Sequence, residues 1–184
     1  MATCETNINI SEKTIPISTE EAKSNRCKIM KFLIEKSGIP GITPERAAGF
    51  CGNMFGESGY NPNAINPSSK AYGLCQWLGQ RKTKLKNFAA SNGKPIDDLE
   101  VQLNYLVSEI TGSYYKKNCW DKVLAAENTV ANATRLILRH FEVPGRTNAE
   151  ADAVTERDAP IRTKYANKAL AAYNNGNCDN NVGF

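Results

Sequence analysis

Apolar residues along this chain recur at three- and four-residue spacing, and the runs are closed by glycine, proline or both. Strands alternate their faces every second residue, so a pattern of this period is confined to packed amphipathic helices. Ser18 with Glu21 reads as a capping box. Ala22, Ile29, Met30, Leu33 and Ile34 follow as a stripe, and Gly38 and Pro40 stop it, which predicts a first helix near 19–37. The second helix starts more sharply: Thr43 can cap, Pro44 suits the first helical position, and Glu45 favours the positive end of the helix dipole. Its stripe is Ala47, Phe50, Cys51, Met54 and Phe55, and Gly59 and Pro62 end it.

Residues 60–77 carry two Asn-Pro pairs, two serines and Gly73, so they are expected to form turns with at most a short hairpin. Beyond them, Leu78, Leu85, Phe88 and Ala89 predict a helix with a basic face of Arg81, Lys82, Lys84 and Lys86. That face reads either as solvated or as touching a substrate. Further helices follow from Leu99, Leu103, Leu106 and Ile110, from Trp120, Val123 and Leu124, and from Val130, Ala133, Leu136, Ile137 and Phe141, the last closed by Pro144. Residues 148–173 read as helix again. Pro160 either kinks it or begins a new one, with Ile161, Tyr165, Ala169 and Ala172 facing inward. There is no internal repeat and no convincing run of strands, so the class is mainly α.

The 184 residues suit one domain with its own core. A formal charge of +4, from 23 basic and 19 acidic residues, gives no focused basic surface, and no nucleic-acid-binding motif is present. No apolar run reaches about eighteen residues, which predicts no membrane span. The amino end, "MATCETNINISEKTIPIST", does not read as a targeting signal, so the six cysteines are expected to be reduced. One histidine, His140, without CxxC or HxxxH spacing leaves no expected metal centre and no cofactor. A peptidase would need His140 to meet Cys51 or Cys119, and core or helix-surface positions are the plainer reading of all three.

One acid stands out by isolation. The stretch "GFCGNMFGESGYNPNAINPSSKAYGLCQW" holds a single carboxylate, Glu57, and the next is Asp97. At about 100° per residue Glu57 projects within about 20° of the apolar stripe of its helix. It also lies in the last turn, where the dipole disfavours a negative charge, and no positive residue adjoins it in sequence. These conditions favour the protonated form, as a general acid requires. The plainer reading is an ordinary glutamate at a frayed helix end. Around it, Ser58, Tyr60, Asn61, Tyr72, Gln76 and Trp77 supply hydroxyls, amides and aromatic faces of the kind that bind sugars, although Tyr72 and Trp77 also suit a core and Gln76 also suits a loop tie.

The run "GNMFGESGYNPNAINPSSKAYGLCQW", together with "RHFEVPG" at 139–145, resembles the phage tail lysozyme family, and more distantly soluble lytic transglycosylases and goose-type lysozymes. The resemblance covers about residues 25–173. It implies an α+β lysozyme-like fold, a helical bundle around a long cleft, with a catalytic domain over 18–175, an extension over 1–17 and a tail or linker from 176. It further implies Glu57 as the catalytic acid and peptidoglycan glycan strands as substrate. The implied setting is a protein made in the host cytoplasm, carried on a virion tail and partnered there by other phage tail proteins. Glu142 falls on the second motif. It reads either as a structural partner of backbone or an arginine, or as the second catalytic group, for which the hairpin region offers no aspartate. Without such a group, Glu57 acting alone in a transglycosylase-type closure, or assistance from the substrate acetamido group, remains open. A wall-binding module that lost the chemistry is the alternative from outside enzymology.

Overall fold

The structure, a computed structural model, describes residues 14–178. Helix α1 (Thr19–Lys31) begins where Ser18 Oγ accepts a hydrogen bond from the Glu21 amide at 3.1 Å, and a π turn, Phe32–Lys36, carries it on. Helix α2 (Pro44–Ser58) is capped by Thr43 and ends at Gly59, whose φ of +61° is the left-handed conformation that glycine adopts without strain. Helices α3 (Gly79–Ser91) and α4 (Leu99–Thr111) follow, the second capped by Asp98. Short α5 (Ser113–Tyr115), a π turn (Lys116–Trp120) and α6 (Asp121–Ala125) run on from one another. Helix α7 (Val130–Ile137) extends into a third π turn, Leu138–Glu142, and α8 (Asn148–Asn174) opens on a full capping box of Thr147 and Glu150.

The apolar stripes close around α2, which packs against α7 and α8. Phe50 stacks on Trp120 at 5.9 Å and meets Phe141 edge-on at 6.1 Å; Ile29, Leu33, Met54, Leu103, Leu106 and Ile137 fill the surrounding space and are wholly buried. Each such side chain contributes about 1.5–3 kcal/mol by leaving water. The buried indole of Trp120 still satisfies its N–H, donating to the Pro40 carbonyl at 2.8 Å.

Residues 59–78 form a tight loop whose antiparallel bridges pair Ile65 with Tyr72 and Tyr72 with Trp77; no longer strand occurs among the described residues. Its anchor is Gln102 on α4, fully buried. The Gln102 amide donates to the carbonyls of Pro62 (2.6 Å) and Ile96 (2.8 Å), and its oxygen accepts from the Leu74 N–H (2.9 Å). Gly73 makes this approach feasible, because a Cβ there would sit 2.6 Å from the Gln102 oxygen. Residues before α1 join the same loop: Thr14 exchanges hydrogen bonds with the Ile65 backbone, and Asn61 donates to the Ile15 carbonyl. The parts of the expected extension and tail at 1–13 and 179–184 lie outside the described residues.

Four expectations change. Cys27 and Cys178 are joined by a disulfide, where reduced cysteines were expected, while Cys51, Cys75 and Cys119 are free and buried. The bond fixes the turn beyond α8 onto α1, so the expected tail is tethered at its start. Ile161 is 47% exposed rather than inward, because α8 turns Arg162 and Ala166 toward α2 instead. Of the two readings of Pro160, a new helix does not occur, because α8 runs through it. Arg81 leaves the basic face and turns into the protein.

Candidate active site

Glu57 occupies the last turn of α2, and the side chain that meets it comes from α8. An Arg162 guanidinium nitrogen lies 2.6 Å from the Glu57 carboxylate, with the arginine side chain 11% and the glutamate side chain 21% exposed. The expectation that no cation stands beside Glu57 is therefore corrected: sequence adjacency missed a partner that only folding supplies. Two glycines on α2 make room for it. A Cβ at Gly52 would collide with the Arg162 carbonyl, and one at Gly56 would come within 3.0 Å of the guanidinium carbon. Asn53, fully buried on the same helix, fixes the arginine in turn: its oxygen accepts from Arg162 at 3.2 Å while its amide donates to the carbonyls of Gly49 and Thr134. Three helices thus converge on the Glu57 ion pair.

Glu142 arrives from the opposite direction, at the end of the π turn that follows α7. Single π turns let a helix re-aim one side chain, and they recur at functional sites. The next residue, Val143, sits at φ +50° and ψ +61°, a left-handed conformation that a β-branched residue adopts only at a cost of about 1–2 kcal/mol. That strain is local to Glu142. Burial first, and then the charge of Glu57, hold the Glu142 carboxyl well above the ordinary glutamate value of 4.5, against the opposing pull of Arg81 and Arg162. The charge of Glu57 is thus felt at Glu142 across the site.

The loop closes the site from behind. Ser58 Oγ donates to the Met54 and Leu74 carbonyls, tying the end of α2 to the loop. The adjoining Cys75 thiol is buried and feels Glu142, Arg81, Glu109 and Glu57; burial, ahead of these charges, pushes it well up. The other aromatic and amide candidates serve the loop as scaffold. Tyr72 is buried, and its hydroxyl donates to Asn63 at 3.0 Å. Trp77 is buried too, its indole N–H donating to Glu109 at 2.7 Å. Tyr60 is buried against Phe55, Asn61 is buried, and Gln76 donates to the Ala64 and Gly73 carbonyls. In this arrangement Tyr60, Tyr72 and Trp77 turn no open ring face to solvent.

Sequence reasoning also missed Arg81 and Glu109. Arg81 makes a two-pronged pair with Glu109, at 2.9 Å and 2.8 Å, donates to the Phe141 carbonyl at 3.2 Å, and lies over the Phe141 ring at 4.5 Å. It thereby braces the residue before Glu142. Its run of basic neighbours disguised it as surface. For Arg162 the available signal was the pair of glycines inside an otherwise regular helix, which marks a close helix approach.

The peptidase alternative loses its parts: Cys51 and Cys119 are buried thiols, the latter pushed up to about 12 by burial, and His140 lies against Lys122. Among the described residues no cluster of metal-ligating side chains occurs, and no helix is long and apolar enough to cross a membrane.

Residues 24–173 match the family described as phage tail lysozyme, and no curated protein matches the chain. The match spans the helices, the loop and both glutamates, and a mainly helical lysozyme-like fold is what the structure displays. With residues 24–173 of its 184 matched, this chain belongs to the phage tail lysozyme family.

Proposed function

We propose that this protein is a muramidase that cleaves the β-1,4 bond between N-acetylmuramic acid and N-acetylglucosamine in peptidoglycan, acting from a virion tail to open the wall during infection. Family membership supports the coarser part of this reading, a phage lysozyme-like protein that degrades peptidoglycan. The observation that carries the finer part is the meeting of two carboxyls in unlike settings: Glu57 is ion-paired to Arg162, while burial and the charge of Glu57 push the Glu142 carboxyl well up.

Such a pair supplies both halves of acid–base cleavage. The Glu142 carboxyl, the one pushed up, gives its proton to the glycosidic oxygen as the C–O bond breaks. The ionised carboxylate faces the positive charge that develops on the sugar, and then accepts a proton from the water that attacks it. Arg162 and Asn53 keep Glu57 in place through this cycle, and Arg81 does the same for the chain leading to Glu142. With Glu142 as the second carboxyl, the reading needs no aspartate in the hairpin.

Mass spectrometry of fragments from digested peptidoglycan tests the reading. Reducing N-acetylmuramic acid ends are expected, because a second carboxylate is available to activate water. A product set made only of 1,6-anhydro ends would replace hydrolysis by transglycosylation, and wall binding without any released fragment would reduce the protein to a binding module.

A further inference from the structure

A pocket of about 410 Å³ opens between α3, the end of α4 and α5, within the size range of small-molecule sites, about 300–1,000 Å³. We propose that it binds an N-acetylated sugar unit of the glycan strand at a distance from the bond that is cut, with Tyr114 as the stacking platform. This rests on the proposed glycan substrate and assigns that substrate a second point of contact.

The floor of the pocket is chemically closed. Arg81 and Glu109 satisfy each other, and the Tyr105 hydroxyl bonds to Glu109 at 3.1 Å. What remains for a ligand lies at the walls and rim: the amide of Gln80, the hydroxyl of Ser113, the ammonium of Lys84 and the ring of Tyr114. Tyr114 is 68% exposed, the largest exposure among the big apolar side chains of the described residues. It is nevertheless held in place, edge-on to Tyr115 at 5.0 Å. An aromatic ring ordered by a neighbour yet open to water offers a flat contact face at little cost in conformational entropy.

The chemistry selects the occupant. With Arg81 and Glu109 committed to each other, Lys84 is the one lining charge outside that pair, so the pocket is not built for a multiply charged anion. An aromatic face with an amide and hydroxyls around it matches a neutral ring that carries hydroxyl and acetamido groups. The pocket also shares a wall with the catalytic pair. Tyr115 packs on Phe141 at 5.1 Å, Arg81 lies over both rings, and Glu142 is the residue after Phe141. The pocket thus packs against the segment that carries Glu142.

The test uses a Glu57→Gln background, so that binding is read without turnover. Affinity for the soluble N-acetylglucosamine tetramer is measured by calorimetry with and without Tyr114→Ala, and with Tyr114→Phe as the conservative control. The expected result is about tenfold weaker binding for Tyr114→Ala, a change typical of losing one good contact, and binding within about twofold for Tyr114→Phe. Equal affinity in all three proteins would overturn the proposal. Because no cleavage is measured, failure of the proposed hydrolysis shows up separately, in the fragment analysis of the native protein.

Discussion

Glu57→Gln is expected to slow glycan cleavage by about a thousandfold, the middle of the range for losing a general acid–base group. The substitution changes charge and almost nothing else. A glutamine oxygen still accepts from Arg162 at the 2.6 Å separation now occupied by the carboxylate, and Asn53 still fixes the guanidinium, so α2 and α8 keep their approach. Two losses act in the same direction. The site no longer has a carboxylate for the positive charge on the sugar, and Glu142 loses the neighbouring charge that helps it keep its proton. Release of soluble fragments from purified peptidoglycan measures the rate, and thermal unfolding checks that the variant is folded. A folded Glu57→Gln protein with most of its activity would place the chemistry elsewhere.

Loss of the Cys27–Cys178 bond is expected to cost about 3–4 kcal/mol, near the upper part of the usual range, because it closes a long loop with a sequence separation of 151. For a chain of this size that corresponds to a fall in melting temperature of about 10 °C. Both sulfurs are buried with Ala172 and partly buried Tyr173 in a small cluster apart from the main core. Unfolding followed with and without a reductant, with Cys178→Ser as the non-reducing control, measures the effect. Matching melting temperatures in all three samples would show that the bond adds nothing to the folded state.

The helices were legible in the sequence because their signals are local. Ser18, Thr43 and Gly59 act within one turn of their own position, and the structure uses each as its chemistry suggests. Glu57 stood out for the same reason, as a lone acid at the end of α2 ahead of a loop rich in amides. What sequence could not supply was the far side of each contact. Arg162 reaches Glu57 across the fold, Gln102 reaches back to Pro62 and Leu74, and Cys178 meets Cys27 from the opposite end of the described chain. Burial misled in both directions. Trp77 and Tyr72 had the composition of a sugar platform but fill the core, whereas Tyr114, between Ser113 and Tyr115, stands in the open. Cysteine redox state lay beyond reach for a different reason, since it follows from the compartment and the approach of two distant sulfurs rather than from either local sequence.

The coupling of the two glutamates has a definite sign. Glu142 holds its proton more tightly in the folded protein than in the unfolded chain, so its contribution to stability is complete below the unfolded value. That contribution is lost as pH rises through the raised folded value. Cleavage should fail over the same rise, as Glu142 gives up its proton. A carboxyl titration by NMR with carbon-13-labelled glutamate reads this directly, in the native protein and in Glu57→Gln. The account predicts that Glu142 titrates well above the ordinary glutamate range and moves downward once the charge at position 57 is removed. An ordinary value in the native protein, or no movement in the variant, would contradict it.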